Sequence, residues 1–206
     1  MGLYGGQRFY IDSVKEQKVK FTNDVMSSIF PDITALDNII PNAIYDITYV
    51  ISSCCFIAGT QVLTDLNGHS KPIEDFIIGD EVVSYNIITN ENYITQVKDV
   101  IINTNTTDIA EVMFDNGEIL VMNAYHPLYC ENGFKSITEY KGYDKLSIGD
   151  KVKTINGWSV ITDIKRYDSK PIITYNLDVR DKNEDPDIDT NDTYYANNIV
   201  VKNGFC

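Results

Sequence analysis

A series of Asn-Gly dipeptides between runs of β-branched and aromatic residues constrains the fold more than any other feature of this sequence. Asn-Gly between such runs is the strongest short-range signal for a β-hairpin, because both residues tolerate the positive φ of a type I′ turn. Residues 111–122 form the clearest case, and residues 160–164 and 172–177 are further predicted strands. The sequence from Cys55 onward therefore predicts an all-β domain. The dipeptides are Asn67-Gly68, Asn116-Gly117, Asn132-Gly133, Asn156-Gly157 and, near the end of the chain, Asn203-Gly204.

A short internal repeat divides this β-rich region into two parts. The run Ile78-Gly-Asp-Glu-Val-Val-Ser-Tyr-Asn86 recurs as Ile148-Gly-Asp-Lys-Val-Lys-Thr-Ile-Asn156, and each copy follows a similar lead-in. Two copies are too few for a solenoid. The repeat favours two similar β-subunits related by a pseudo-twofold axis, which would bring residues of both halves to one central cleft. Chance convergence on a turn-strand pattern is the alternative.

The first 53 residues have a different texture. They contain Pro31 and Pro41, and Pro31 opens a short helix candidate at residues 32–40. Residues 14–21 are weakly amphipathic. We therefore expect a partly helical N-terminal segment that is too small to hold a large core alone. An extended arm is the alternative.

Charge and cysteine usage exclude several classes of function. A formal net charge of −13 argues against nucleic acid as the main partner, because phosphates would be repelled. Cys54, Cys55, Cys130 and Cys206 form neither a CxxC pair nor a disulfide framework, so we expect no metal and no cofactor. The acidic run at residues 185–191 lacks the glycine and the glutamate of a calcium loop. It is better interpreted as a solvated loop.

No targeting segment is apparent in the sequence. The N-terminus lacks the charged-then-apolar pattern of a signal peptide. The most apolar stretch, residues 44–62, contains Asp46 and Gly59, so we expect no membrane span and no membrane partner.

Five sequence blocks resemble, in the same order, the motifs of Hint domains, the fold shared by inteins, hedgehog autoprocessing domains and bacterial intein-like domains. Together they span Cys55 to Asn203, nearly three quarters of the chain. The blocks are Cys55-Phe-Ile-Ala-Gly-Thr-Gln-Val-Leu-Thr64, Gly68 to Asp80, Asn123-Ala-Tyr-His126-Pro127 with Asn132 to Ser136, Tyr175-Asn-Leu-Asp-Val179, and Thr193 to Asn203.

The resemblance implies a horseshoe-like all-β fold and a self-processing chemistry. Cys55 would attack the Cys54–Cys55 peptide bond and form a thioester, since a thiolate is a strong nucleophile. His126 would supply the proton that the amide leaving group needs, and Asn203 would cyclise. Taken singly, Cys55 fits a small buried hydrophobic residue better than a nucleophile, and His126 fits a structural histidine better than a proton donor. The implied organisation is a flanking segment at 1–54, the Hint domain at 55–203 and a tail at 204–206.

Four positions depart from the family pattern. Asn123 stands where the family usually has threonine, and an amide can still donate and accept hydrogen bonds. Asp192 and Lys202 stand where splicing members have histidines, and Gly204 after Asn203 offers no nucleophile. We therefore predict N-terminal self-cleavage or acyl transfer to an outside thiol or amine, with weak Asn203 cyclisation and no splicing. The rival interpretation is a catalytically decayed Hint fold serving as a structural or binding module.

The biological context rests on analogy alone. The histidine and closing blocks resemble Hint domains of bacteriophage structural proteins. This makes the chain a candidate virion protein, located in the host cytoplasm or the virion, with its own residues 1–54 as the substrate.

Overall fold

Strands and tight turns make up almost all of the described chain in this computed structural model. The structure describes residues 55–138, 142–180 and 193–203, together with two short strands at 18–20 and 44–46. The chain divides into two units, Met1–Ser52 and Ser53–Cys206. Within the described residues, no helix is both long and apolar enough to cross a membrane.

In the N-terminal unit, two strands pair antiparallel. Strand β1 (Lys18–Lys20) lies against β2 (Ile44–Asp46), with Lys18 opposite Asp46. The helical expectation for residues 14–21 is wrong for these three residues. Lys-Val-Lys alternates polar and apolar residues with the period of two that suits a strand. The helix expected at residues 32–40 lies outside the described residues.

The larger unit contains thirteen described strands and one turn of 3-10 helix at Ile73–Asp75. Most of the strands are short, whereas β7 and β13 have 24 residues each. The strands are β3 (Phe56–Ile57), β4 (Gln61–Leu63), β5 (Ser70–Pro72), β6 (Glu81–Asn86), β7 (Glu91–Phe114), β8 (Ile119–Asn123), β9 (Leu128–Cys130), β10 (Gly133–Ser136), β11 (Asp144–Lys145), β12 (Lys151–Thr154), β13 (Gly157–Arg180), β14 (Thr193–Ala196) and β15 (Ile199–Lys202).

One continuous sheet connects these strands in the order β5-β4-β14-β15-β9-β12-β13-β3-β8-β7-β6, with β10 joining β9 to β11. The two long strands pair antiparallel over most of their length. Their register shifts at several points, for example between Asp168 and Ile172. Such irregularities bend and twist a strand pair. The strands predicted at 160–164 and 172–177 are therefore parts of the single strand β13.

The two copies of the sequence repeat form the same local structure. In the first, Lys71 Nζ donates to Asp80 Oδ2 at 2.5 Å, and in the second Lys135 Nζ donates to Asp150 Oδ1 at 2.8 Å. Each aspartate also accepts the backbone N–H three residues before it at 2.8 Å. The predicted pair of related β-subunits is confirmed.

We take residues 55–114, with strands β3 to β7, as the first half and residues 119–203, with strands β8 to β15, as the second. Short strands from each half cross into the other half at the centre of the sheet. Strand β3 of the first half pairs with β13 of the second at Ile57–Thr174. Strand β8 of the second half pairs with β7 of the first at Asn123–Ile109. The two crossing strands meet at Phe56–Met122. This crossing places the start of the first half beside the end of β8.

Apolar side chains lie on both faces of β14 and β15. One face contributes to the main core, and the other to a smaller cluster with Leu63 and Tyr85. Both strands are buried along their whole length, which explains why the closing block of the sequence has no polar alternation. The main-core residues of these strands are Tyr194, Ala196, Ile199 and Val201, and those of the smaller cluster are Tyr195 and Val200.

The hairpins predicted at Asn-Gly pairs are present, but their turn type differs from the expectation. Within the four described pairs only the glycine has a positive φ, so the type I′ prediction is wrong. A type I turn followed by one left-handed glycine closes such a hairpin equally well. The two-residue turn with positive φ at both positions is Asn197-Asn198, between β14 and β15. The glycines are Gly68, Gly117, Gly133 and Gly157.

Candidate active site

Cys55 lies at the start of β3, at the central crossing of the two halves. It is completely buried, and its carbonyl accepts the Asn123 N–H at 2.8 Å. The next residue, Phe56, pairs with Met122 of β8. The first cysteine of the opening block is thus joined directly to the block that carries the histidine.

His126 follows β8 at the end of a tight turn. Its N–H donates to the Asn123 carbonyl at 3.0 Å, which closes the turn. The imidazole is completely buried and packs on the Phe56 ring with centroids 4.1 Å apart. Among the described residues, neither ring nitrogen has a hydrogen-bond partner. Buried polar groups are nearly always paired, so an imidazole without a partner among the described residues is unusual.

Asn123 uses its side chain to hold this turn. Its Oδ1 accepts the Tyr125 N–H at 2.9 Å, and its Nδ2 donates to the Asp108 carbonyl at 3.0 Å. The side chain is only 3% exposed. An amide has two N–H groups, so one donor is left beyond the bond to Asp108. The contact of Asn123 with the 54–55 peptide remains a prediction, since Cys54 lies outside the described residues.

Asn203 lies at the end of β15, near the histidine block. The neighbouring Lys202 donates its N–H to the Pro127 carbonyl at 3.2 Å, one residue beyond His126. Asn203 is buried, and its Nδ2 donates to the Val179 carbonyl and, at 3.4 Å, to Asp178 Oδ1. The described structure therefore brings the blocks of Cys55, His126 and Asn203 to one region.

The positions that depart from the family pattern are only partly described. Lys202 is 6% exposed, and its Nζ lies 5.6 Å from the centre of the Phe134 ring. Asp192 and Gly204 lie outside the described residues.

Asp178 lies beside the predicted site residue Asn203, although the motif blocks assign it no role. It is only 5% exposed and accepts a hydrogen bond from Asn203. A carboxylate between Leu177 and Val179, both buried in the core, is the signal that was available. Buried carboxylates are costly unless they are paired.

The second described free cysteine is chemically different. Cys130 is buried, and its Sγ lies 3.7 Å from the Leu128 carbonyl. Burial raises the pKa of its thiol to about 12. Little thiolate therefore exists at Cys130 near neutral pH, and it is a poor nucleophile.

In the part of the chain that the structure describes, no three His, Cys, Asp or Glu side chains lie close enough together to bind a metal ion. The acidic run at 185–191 lies outside the described residues. His69, interpreted as a solvated loop residue, has a side chain that is 76% exposed and lies 2.6 Å from Asp65.

Fold and site together define a class of protein: an all-β domain with a buried thiol and a buried imidazole where two related halves cross. Comparison with solved structures identifies proteins that have the same architecture. The bacterial intein-like domain from Clostridium thermocellum is 29% identical, covering 72% of this chain and 97% of its own, with a TM-score of 0.57. The Ssp DnaB mini-intein variant M86 is 17% identical, covering 76% and 99%, with a TM-score of 0.58.

A third structure, the gp41-1 intein, is 19% identical over 74% of this chain and 100% of its own, with a TM-score of 0.55. No protein-family model and no curated protein matches the sequence. The chain has the Hint fold of inteins and bacterial intein-like domains, so the resemblance inferred from its five motif blocks is confirmed.

Proposed function

We propose that this Hint domain cleaves its own backbone at the Cys54–Cys55 peptide bond, releasing residues 1–54 or passing them to an outside acceptor. The N-terminal segment is the substrate, and the reaction is a single turnover. The observation that carries the proposal is the buried His126 imidazole, which lacks partners among the described residues and packs on Phe56 beside Cys55.

The first step is an N-to-S acyl shift. Cys55 Sγ bonds to the Cys54 carbonyl carbon, the C–N bond to Cys55 breaks, and the freed nitrogen takes up a proton. The thiol loses one proton and the amine gains one, so the rearrangement is balanced. His126 carries that proton to the nitrogen, because a protonated amine is a better leaving group than an amide anion.

The second step resolves the thioester. Water, a thiol or an amine attacks the Cys54 carbonyl carbon, and the Cys55 thiolate leaves and is reprotonated. The product is a free acid, a new thioester or an amide on residue 54. A second fragment begins at Cys55.

Cleavage at the other end is the weaker reaction. The Asn203 side chain must turn toward its own carbonyl to cyclise, whereas its Nδ2 donates to Val179 and Asp178. The residue before it is Lys202 rather than a histidine. These features support N-terminal processing without splicing.

Substitution of Cys55, with Cys130 as the control, tests the proposal. The full chain is incubated with dithiothreitol near pH 8 and followed by intact mass spectrometry. We expect fragments 1–54 and 55–206 from the starting chain and from Cys130→Ala, and only intact chain from Cys55→Ala. If all three chains stay whole, or all three are cut alike, self-cleavage by Cys55 is wrong.

A decayed Hint module is the second candidate. The Asn123 side chain supports it, because its acceptor is already used by Tyr125 and one of its donors by Asp108. A decayed module stays whole under the conditions above. Its Cys55→Ala variant also stays whole, at the intact mass expected for the substitution.

A further inference from the structure

The orientation of the His126 imidazole depends mainly on the backbone turn that carries it. The ring nitrogens have no partners among the described residues, so side-chain hydrogen bonds to these residues do not orient the imidazole. What orients it is the turn that ends at His126 and the Phe56 ring against which it packs. A residue that holds the turn therefore controls where the imidazole points.

The Asp108 carbonyl on β7 is a double anchor for this turn. It accepts Asn123 Nδ2 at 3.0 Å and the Ala124 N–H at 3.2 Å. On the other side, Thr138 donates its N–H to the Ala124 carbonyl at 2.9 Å. The first two residues of the turn are thus tied to the Asp108 peptide.

Asp108 is in turn held by Arg166 from the neighbouring strand β13. The guanidinium binds both carboxylate oxygens, with Nε at 2.8 Å from Oδ1 and Nη2 at 2.6 Å from Oδ2. Such a two-bond fork fixes direction as well as distance. The Asp108 side chain is 17% exposed, and that of Arg166 is 48% exposed.

The Arg166–Asp108 pair lies next to an irregularity in the pairing of β7 and β13. Asp108 lies opposite Asp168, and the register of β7 and β13 shifts immediately afterwards. The hydrogen bond with Asp108 raises the pKa of Arg166, so the guanidinium stays charged and the ion pair stays formed.

We propose that Arg166 and Asp108 are positioning residues for His126: their ion pair fixes the Asp108 peptide, which fixes the turn that aims the imidazole. The inference rests on the proposed self-cleavage, in which His126 carries the proton. Both residues act through the turn rather than on the reacting atoms. Their effect is on the orientation of the imidazole and hence on the rate of acyl shift.

The same two strands provide a matched control. Lys165 and Glu111 lie opposite each other one residue further along, with Nζ–Oε1 at 3.6 Å and no bond to the turn in the described structure. Substituting Lys165→Met removes a partly exposed cation from β13, as Arg166→Met does. The control leaves Asp108 and its anchor intact.

The first measurement is the rate of N-terminal cleavage. We expect Arg166→Met to slow it about tenfold, less than the roughly hundredfold that a 1 Å misplacement can cost. Arg166→Lys should recover part of the rate, because one of the two bonds can form. The double variant Arg166→Met with Asp108→Asn should be no slower than the slower single variant, since both act through one contact. Lys165→Met should cleave at the starting rate.

The second measurement does not depend on cleavage. In the Cys55→Ala chain, the carbon-bound ring protons of His126 are followed by NMR. We expect their shifts to change with Arg166→Met and to stay in place with Lys165→Met. Unchanged His126 resonances, or equal changes for both variants, would overturn the positioning role. If the starting chain never cleaves, the proposed function fails while this comparison still decides the present inference.

Discussion

At the scale of single residues, burial of the His126 imidazole is expected to cost stability. Each buried polar group without a partner costs roughly 1–3 kcal/mol, and among the described residues neither ring nitrogen has one. Substituting His126→Leu keeps a comparable volume and removes both polar atoms. We expect the free energy of unfolding to stay equal or rise, while cleavage falls by about 10²-fold or more.

Urea unfolding and intact mass measured on the same samples check this prediction. A large loss of stability together with retained cleavage would show that the histidine is structural.

Cys130 gives a prediction about alkaline pH. Its thiol has a pKa raised from 9.0 to about 12 by burial in the folded chain. The unfolded chain therefore loses this proton first, so the stabilising contribution is complete below pH 9 and is lost as the pH rises toward 12. We expect unfolding free energies to fall by up to about 1.4 kcal/mol per pH unit through this group.

Urea titrations from pH 8 to 11 measure this slope. The Cys130→Ala variant should show a flatter profile over the same range. Identical slopes for both chains would mean that the thiol does not contribute.

At the scale of elements, the Asn197-Asn198 turn connects three separate parts of the sheet. Asn197 Oδ1 accepts the Gln61 N–H at 2.8 Å on β4, and its Nδ2 donates to the Ile119 carbonyl at 2.9 Å on β8. Its φ of 44° is in the left-handed region. Alanine there loses both bonds and costs roughly 1–2 kcal/mol in backbone strain.

We therefore expect Asn197→Ala to lower the free energy of unfolding by about 3–4 kcal/mol, adding the strain to two hydrogen bonds of about 1 kcal/mol each. Asn197→Gly keeps the backbone conformation and should cost about half as much. Chemical denaturation of the two variants separates the contributions, and equal losses would assign the whole effect to the side-chain bonds.

These turns also show what sequence alone can and cannot predict. The Asn-Gly pairs correctly predicted the positions of the hairpins, because the glycine of each described pair, such as Gly117, has a positive φ. They did not predict the turn type, which depends on loop closure between paired strands. The continuous strand β13 was predicted only in pieces, because register shifts such as that between Asp168 and Ile172 interrupt its alternation.

At the scale of the whole molecule, the two related halves carry equivalent ion pairs of unequal burial. Lys135 and Asp150 have 15% and 20% of their side-chain surfaces exposed, against 32% and 27% for Lys71 and Asp80. Loss of a buried partner costs more than loss of an exposed one. We expect Asp150→Asn to destabilise the chain by about 2 kcal/mol and Asp80→Asn by about 1 kcal/mol.

Thermal or urea unfolding of both variants checks this order. Acid should also lower the free energy of unfolding through the Lys71–Asp80 pair, because the Lys71 hydrogen bond lowers the pKa of Asp80. The contribution of that carboxylate is present above its unfolded pKa and lost as the pH falls through its folded one. A reversed order of the two variants would contradict the assignment of stability to burial.

The candidate site was predicted only where the sequence contains a family motif. The blocks single out Cys55, His126 and Asn203 because each retains a family residue type in sequence order, and their roles stay predictions. Asp178 and the Arg166–Asp108 pair act through contacts between residues 25 and 58 positions apart, and no local pattern links such positions.

Trapping the thioester with hydroxylamine tests the central claim most directly. Hydroxylamine attacks an acyl–sulfur bond and leaves a hydroxamate on the released carbonyl, so the product records where the acyl group was. The account predicts a 1–54 fragment with a hydroxamate on Cys54, a partner fragment beginning at Cys55, and neither product from Cys55→Ala. Intact chain alone, or a hydroxamate at any other residue, would contradict it.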